Sequence, residues 1–305
     1  MNYDIIGDIH GHGDKLQALL RKLGYRQRAG AWRQAGHQVL FVGDYIDRGP
    51  QQLATVDTVR AMVDAGSARA VMGNHEFNAI AWSLPDPQQP GEFMRPHTAE
   101  KRHQHEAFLA ATEDNPARRA EILEWFLQLP LWLDLPELRV VHACWDEEAM
   151  AQLAPLVDAH NCLDAEGVRA ASRRGTDEFV ALERVLKGPE VELPDALRFR
   201  QGDQWRSEAR LCWWKPESTG LRDAVLVDSA TRPQLSTQAI PEAPWPRYAG
   251  DRPIFIGHYW MPGTPEPLTP GIACLDYSVG KGGPLVGYRW QGERVLDAAH
   301  FVAVR

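Results

Sequence analysis

At 305 residues, 44% hydrophobic and 24% charged, the chain can bury a large core as one α/β domain or one domain with an inserted cap. A formal charge of -8 argues against broad, sequence-independent binding to nucleic acid, but not against an anionic substrate, since bound divalent cations reverse the local field. The four cysteines (Cys144, Cys162, Cys212, Cys274) are far apart and suit reduced thiols better than a disulfide framework. No basic-then-apolar leader and no run of about 18 apolar residues occurs. A cytoplasmic location without membrane contact is therefore expected.

The first predicted strand is Tyr3-Asp4-Ile5-Ile6-Gly7, followed by the loop Asp8-Ile9-His10-Gly11. Asp14 is expected to cap a helix whose Leu16, Leu19, Leu20 and Leu23 share one face, with Gly24 ending it. The second unit repeats the plan. Val39-Leu40-Phe41-Val42 is an apolar strand that runs into Asp44, and a helix through Leu53, Val56, Val59, Met62 and Val63 follows, closing near Gly66. A third strand, Arg69–Met72, ends at Gly73-Asn74-His75-Glu76. Strands alternating with helices imply βαβ units and parallel pairing.

Residues 83–99 are Pro-rich and read as a loop, and 99–128 as charged helix broken at Pro116. His97, His103 and His105 read there as solvated. Arg139-Val140-Val141 is a strand ending at His142. Residues 147–210 are charge-rich and helical, the composition of a cap. Leu211-Cys212-Trp213-Trp214 reads as packing. Pro253–Gly257 is a strand ending at His258, and 271–276, 285–290 and 294–296 read as an antiparallel meander.

Five stretches thus place Asp, Asn or His just after an apolar strand: Asp8/His10, Asp44, Asn74/His75, His142 and His258. In open α/β sheets ligands bind at the carboxyl ends of strands, so these side chains should converge. Each alone could cap a helix or pair on the surface; the set is what points to a site. Oxygen and imidazole donors together suit Mn²⁺, Fe or Zn²⁺ rather than Ca²⁺. Asp44 is read as a carboxylate shared by two ions, a centre suited to in-line attack on phosphorus.

Gly7-Asp8-Ile9-His10-Gly11, Gly43-Asp44-Tyr45-Ile46-Asp47-Arg48-Gly49 and Gly73-Asn74-His75-Glu76 resemble the three signature blocks of calcineurin-like metallophosphoesterases, in the branch containing the Ser/Thr phosphoprotein phosphatases. His142-Ala143 and Gly257-His258 resemble its two downstream blocks, and Asp276 with the following glycines its late Asp-then-Gly run. The resemblance implies an α/β fold of two packed mixed sheets in a sandwich flanked by helices, a single domain over 1–305 with 147–210 as an inserted helical cap. It implies two divalent ions, Mn²⁺ foremost. Asp8, His10 and Asp44 would hold one, and Asn74, His142, His258 and Asp44 the other. His75 would be the general acid, oriented by Asp47, with Arg48 clamping the phosphate. Relatives carry a further phosphate-binding Arg in the second half; Lys215 is the candidate here, with Arg210 behind it. Glu76 is expected behind the ligands rather than among them.

The implied function is phosphomonoester hydrolysis on a phosphoprotein or nucleotide by a metal-activated water. Symmetrical dinucleoside tetraphosphatases share the core; Asp47 and Glu76 favour the phosphatase. A non-catalytic scaffold binding through the eleven Trp is the reading from another class.

Overall fold

A computed structural model of the chain describes residues 2–194, 197–201 and 204–305. Residues 195–196 and 202–203, within the expected cap, lie outside the described residues. The strands in chain order are β1 (Asn2–Ile6), β2 (Arg26–Arg28), β3 (Ala31–Arg33), β4 (His37–Phe41), β5 (Ala68–Ala70), β6 (Trp132–Asp134), β7 (Arg139–Val141), β8 (Glu190–Glu192), β9 (Phe199–Gln201), β10 (Gln204–Arg206), β11 (Glu208–Leu211), β12 (Val225–Leu226), β13 (Ile254–Ile256), β14 (Ile272–Cys274), β15 (Leu285–Trp290) and β16 (Phe301–Val304). The main helices are α1 (Gly13–Lys22), α2 (Gln52–Asp64), α3 (Asn74–Ser83), α4 (Ala99–Gln104), α5 (Glu106–Ala111), α6 (Pro116–Phe126), α7 (Glu147–Leu153), α8 (Ala165–Ala171) and α9 (Asp177–Lys187).

Two mixed sheets form the frame. One has the order β16-β15-β1-β4-β5 and the other β14-β13-β7-β6. Strands β1, β4 and β5 pair in parallel, as do β7, β13 and β14. Successive side chains point to opposite faces, and here both faces are apolar. Ile5, Leu40, Val140 and Phe255 enter one buried cluster between the sheets. Their neighbours Ile6, Phe41, Val141, Ile254 and Ile256 enter a second. There they join Leu16, Leu19 and Leu20 of α1, Val56 and Val59 of α2, and Leu182 and Val185 of α9. A sheet covered on both faces demands such unbroken apolar runs.

The expected sandwich and the parallel start are present. Several finer expectations are not. The late meander dissolves: β14 joins β13 in the second sheet, β15 runs antiparallel to β1 and β16 in the first, and the last strand is Phe301–Val304 rather than 294–296. Periodicity marks a strand but not its partner. Asp14 does not cap α1; it lies in the first turn, where its N–H donates to Gln51 Oε1 at 2.6 Å. The 147–210 segment is helical only to Lys187. Its α7 and α9 pack against the second sheet through Ala149, Met150 and Val185, and the chain then turns to strand. β8, β11 and β12 form a three-stranded sheet with a small core of its own, including Leu193, Ala209, Leu211 and Val225. Most of the tryptophans are core; in the second half Trp213, Trp214 and Trp290 are buried, whereas Trp205 is 68% exposed.

Candidate metal and phosphate site

The carboxyl ends of β1, β4 and β5 and those of β7 and β13 meet at one edge of the sandwich. The loops are stitched together there. The N–H groups of Ile9 and His10 both donate to the Asp44 carbonyl, at 3.0 and 2.9 Å, and the Gly257 N–H donates to the His142 carbonyl at 2.8 Å. The backbone pays a conformational cost at these turns. His10, Asp44, Asp47, Arg48 and His258 all have φ between 45° and 70°, a region that side chains disfavour and that clusters at functional sites. Glu76 holds the central turn. Its buried carboxylate accepts from the N–H groups of Gly73 (3.0 Å), Asp44 (2.9 Å) and Tyr45 (2.8 Å).

Around Asp44 the donors converge. His142 Nε2 lies 3.4 Å from Asp44 Oδ1 and 3.1 Å from Asn74 Oδ1. His10 Nε2 lies 3.6 Å and His75 Nε2 3.9 Å from Asp44 Oδ2. Two groups of potential ligand atoms, Asp44/His142/His258 and His10/Asp44/His75, each fit within 4.8 Å. Asp8 joins them through its Oδ2, which accepts from the His258 N–H at 3.1 Å. The outer nitrogens are fixed: His10 Nδ1 donates to the Ile46 carbonyl (3.0 Å) and His142 Nδ1 to the Val42 carbonyl (2.8 Å). That leaves each Nε2 facing inward, the second-layer bond that orients a metal-binding imidazole.

The donor set fits divalent cations. Among the described residues, Asp8 Oδ1, His10 Nε2 and His258 Nε2 are buried without a hydrogen-bond partner, which native proteins avoid unless something else satisfies the group. Burial pushes His10 down to about 3 and His258 well below its usual value, the latter with Arg210 close by, so both are the neutral bases a cation requires. Burial, with Asp276 beside it, holds the Asp8 carboxyl well above the usual range. Burial also disfavours charge on Asp44 and His142, yet their mutual attraction wins, holding Asp44 well below its usual range and lifting His142 to about 10.

His75 and Arg48 stand beside this cluster. His75 Nδ1 lies 2.5 Å from the fully buried Asp47, leaving Nε2 toward the centre. Burial lowers the His75 pKa, but Asp44 and the Asp47 bond outweigh it and raise it. Arg48 is exposed, its guanidinium 5.1 Å from the Trp260 ring. Both line a cavity of about 770 Å³ together with Asp44, Asn74, His258, Arg95, Lys101, Arg174 and Arg210.

Lys215 is not brought here. Its Nζ donates to the Asp223 carbonyl, and it is not among the residues that line the cavity. Arg210 lines the cavity instead, half-buried in β11, with Nη1 3.3 Å from the His258 carbonyl and its guanidinium 5.5 Å from the Tyr259 ring. The register of β11 explains the exchange, since Arg210 pairs with Leu226 on an ordered strand, whereas Lys215 sits in the turn beyond it. His105 is the other correction. It is 1% exposed, not solvated, and its Nδ1 lies 2.7 Å from Asp47 Oδ2. The available signal was its spacing from Phe108 and Thr112, which are also buried and share its face at i+3 and i+7.

Comparison with known proteins agrees with the geometry. Residues 1–149 match the calcineurin-like phosphoesterase family. An asymmetrical bis(5'-nucleosyl)-tetraphosphatase of Halalkalibacterium halodurans is 33% identical over 142 residues, 46% of this chain and 55% of that protein. A symmetrical bis(5'-nucleosyl)-tetraphosphatase of Vibrio cholerae is 32% identical over 162 residues, 52% of this chain and 51% of that protein. The chain thus spans about half the length of the curated relatives it matches. A cold-active protein tyrosine phosphatase aligns in fold with TM-score 0.52 at 17% identity, covering 100% of this chain and 78% of its own. Among the described residues no helix is long and apolar enough to cross a membrane. With the signature loops at one sandwich edge and this fold around them, residues 1–149 carry a calcineurin-like phosphoesterase domain.

Proposed function

We propose that the protein hydrolyses phosphomonoesters at the Asp44 centre, in the manner of the Ser/Thr phosphatases. The observation that carries this reading is the grouping of His10, His142 and His258 around the Asp44 carboxylate, with Asp8 Oδ1, His10 Nε2 and His258 Nε2 buried and without partners among the described residues, beside a His–Asp pair. Asp8, His10 and Asp44 would hold one divalent ion, and Asp44, Asn74, His142 and His258 a second, with Mn²⁺ the preferred metal on donor type. When bound, such ions supply Lewis acidity that lowers the pKa of water and neutralises phosphoryl charge.

The chain's own residues do the rest. Arg48 and Arg210 offer forks that match phosphoryl oxygens. Both approach the Trp260 ring, at 5.1 Å and 6.0 Å from its centroid. His75 Nε2 gives its proton to the leaving oxygen as the P–O bond breaks and water's oxygen takes its place on phosphorus. Asp47 accepts the Nδ1–H and so favours the imidazolium whose Nε2–H is given up. Asp44→Asn and His75→Asn should each lower turnover of an aryl phosphate by at least about 10²-fold with the fold intact by circular dichroism. Turnover unchanged in both would reject the reading. Metal analysis of the purified protein should find roughly two ions per chain.

A second reading is hydrolysis of a dinucleoside tetraphosphate, as the named relatives do. The cavity's lining supports it: Arg95, Lys101 and Arg174 line the same cavity as Asp44 and offer cations for further phosphates of an extended substrate. Turnover of diadenosine tetraphosphate, a phosphopeptide and an aryl phosphate, compared side by side, decides between the two.

A further inference from the structure

We infer that His105 is a positioning residue for His75, acting through a shared carboxylate oxygen of Asp47. The inference rests on the proposed role of His75 as proton donor and extends it to a residue outside the signature loops.

Asp47 Oδ2 receives two imidazoles, His75 Nδ1 at 2.5 Å and His105 Nδ1 at 2.7 Å. The backbone of Asp47 is already fixed, its N–H donating to Gln52 Oε1 at 2.7 Å. Its carboxylate is not: the last torsion of Asp is broad and roughly two-fold, and Asp47 Oδ1 has no hydrogen-bond partner among the described residues. His75 alone would leave the carboxylate able to turn about that bond. The second donor fixes which oxygen faces His75 and in what plane, and the two rings stand 81° apart.

His105 is itself well held. It sits where α4 meets α5, stands edge-on to Trp82 with centroids 6.0 Å apart, and begins the buried face that Phe108 continues. With Nδ1 donating, its Nε2 is a bare nitrogen, buried without a partner among the described residues. A histidine kept only for packing would present carbon to the core; this one spends its donor on the carboxylate behind the reacting imidazole. No residue of α4 is buried, so His105, at its end, is where this wall of the cavity reaches Asp47.

The test uses the full-length, metal-loaded protein. His105→Phe keeps ring volume and removes the donor, whereas His105→Asn keeps an N–H donor near the Nδ1 position. Substrates are a series of phosphate monoesters with dinitrophenolate, nitrophenolate, phenolate and alkoxide leaving groups. Dinitrophenolate leaves without a proton; phenolate and alkoxide do not. His105→Phe should lower kcat on the phenyl and alkyl esters by roughly 10- to 100-fold and change the dinitrophenyl ester by no more than about twofold, with KM and metal content unchanged. His105→Asn should recover most of the loss. An equal loss across the series, no loss at all, or an Asn variant no better than Phe overturns the inference. If the Phe variant does not fold, His105→Gln, whose donor lies too far out to reach Asp47, takes its place with the same expectations. His75→Asn run alongside separates the two levels: if its own loss does not depend on the leaving group, the role of His75 fails and His105 falls with it; if it does, the result for His105 stands by itself.

Discussion

A single methyl group at Gly257 should cost the protein much of its metal affinity. Gly257 ends β13 immediately before His258, and a Cβ built there would overlap Asp8 Oδ1, with Val42 Cγ2 at 2.9 Å and Asp8 Cγ at 3.0 Å. The backbone cannot retreat, because Gly257 N–H is bonded to the His142 carbonyl at 2.8 Å and its carbonyl accepts from Cys274 Sγ at 3.3 Å. In Gly257→Ala the Asp8 side chain must therefore swing away, and binding a cation must force it back against the methyl. Overpacking of this kind costs about 1–3 kcal/mol, which converts to a loss of roughly 5- to 150-fold in affinity at the site using Asp8. Competition against a chromophoric chelator measures it directly. Gly271→Ala is the control, since nothing lies within 4 Å of the added atom. Affinity within about twofold of wild type in Gly257→Ala, with the protein folded, would refute the placement of Asp8 at the centre.

Other outcomes follow from the same coordinates. Glu76→Gln puts an amide donor among backbone N–H groups that now share a carboxylate; stability to urea should fall by about 1.5–3 kcal/mol, and an unchanged midpoint would deny Glu76 its role in holding the Asp44 turn. Asp4 is buried and accepts from Arg289 Nε (2.8 Å), Tyr25 Oη (3.0 Å) and His37 Nδ1 (3.0 Å), so Asp4→Ala should destabilise by about 3–5 kcal/mol without touching kcat. Burial raises the Cys212 thiol from 9.0 to about 11 and the Cys144 and Cys274 thiols well above it. These thiols should resist alkylation until the protein unfolds. For Cys212 the raised folded pKa contributes stability that is complete below pH 9 and is lost as pH climbs towards 11; a flat alkaline stability curve in the wild type, unaltered by Cys212→Ala, would contradict this. Arg210→Lys keeps the charge but loses the fork, and KM for an aryl phosphate should rise by about 10-fold or more with metal content unchanged.

What could be read from the chain itself divides along physical lines. The βα units at the start were legible because each strand is a short apolar run closed by Gly, and each helix keeps its apolar residues at 3.6-residue spacing. The candidate ligands were legible because they follow those strands directly, so local sequence already places them at the sheet edge. Pairing partners were not, because β14 and β15 look alike as runs yet enter different sheets. The second cation was misplaced for a similar reason. Lys215 and Arg210 are five residues apart beside the same aromatic patch, and only the register of β11 tells which one faces the cavity. His105 was hidden by its neighbours: a histidine among Glu, Lys and Arg reads as solvated, and the buried carboxylate it meets is 58 residues away.

The turns of the site depend on the bonds that hold them. A left-handed backbone at a residue with a side chain costs on the order of 1 kcal/mol, and His10, Asp44, Asp47, Arg48, His258 and Trp260 all adopt it. Such turns persist only where surrounding bonds leave the chain no alternative. Here those bonds are identifiable. Glu76 gathers the N–H groups of Gly73, Asp44 and Tyr45, the Asp44 carbonyl takes two N–H groups from the first loop, and Asp276 Oδ2 accepts from the Trp260 N–H at 2.9 Å. Acidic groups therefore serve twice at this edge, some facing the centre as donors and others behind it holding the backbone that aims them. The strain is tolerable because the strands feeding the turns are buried on both faces, which gives each turn two fixed ends.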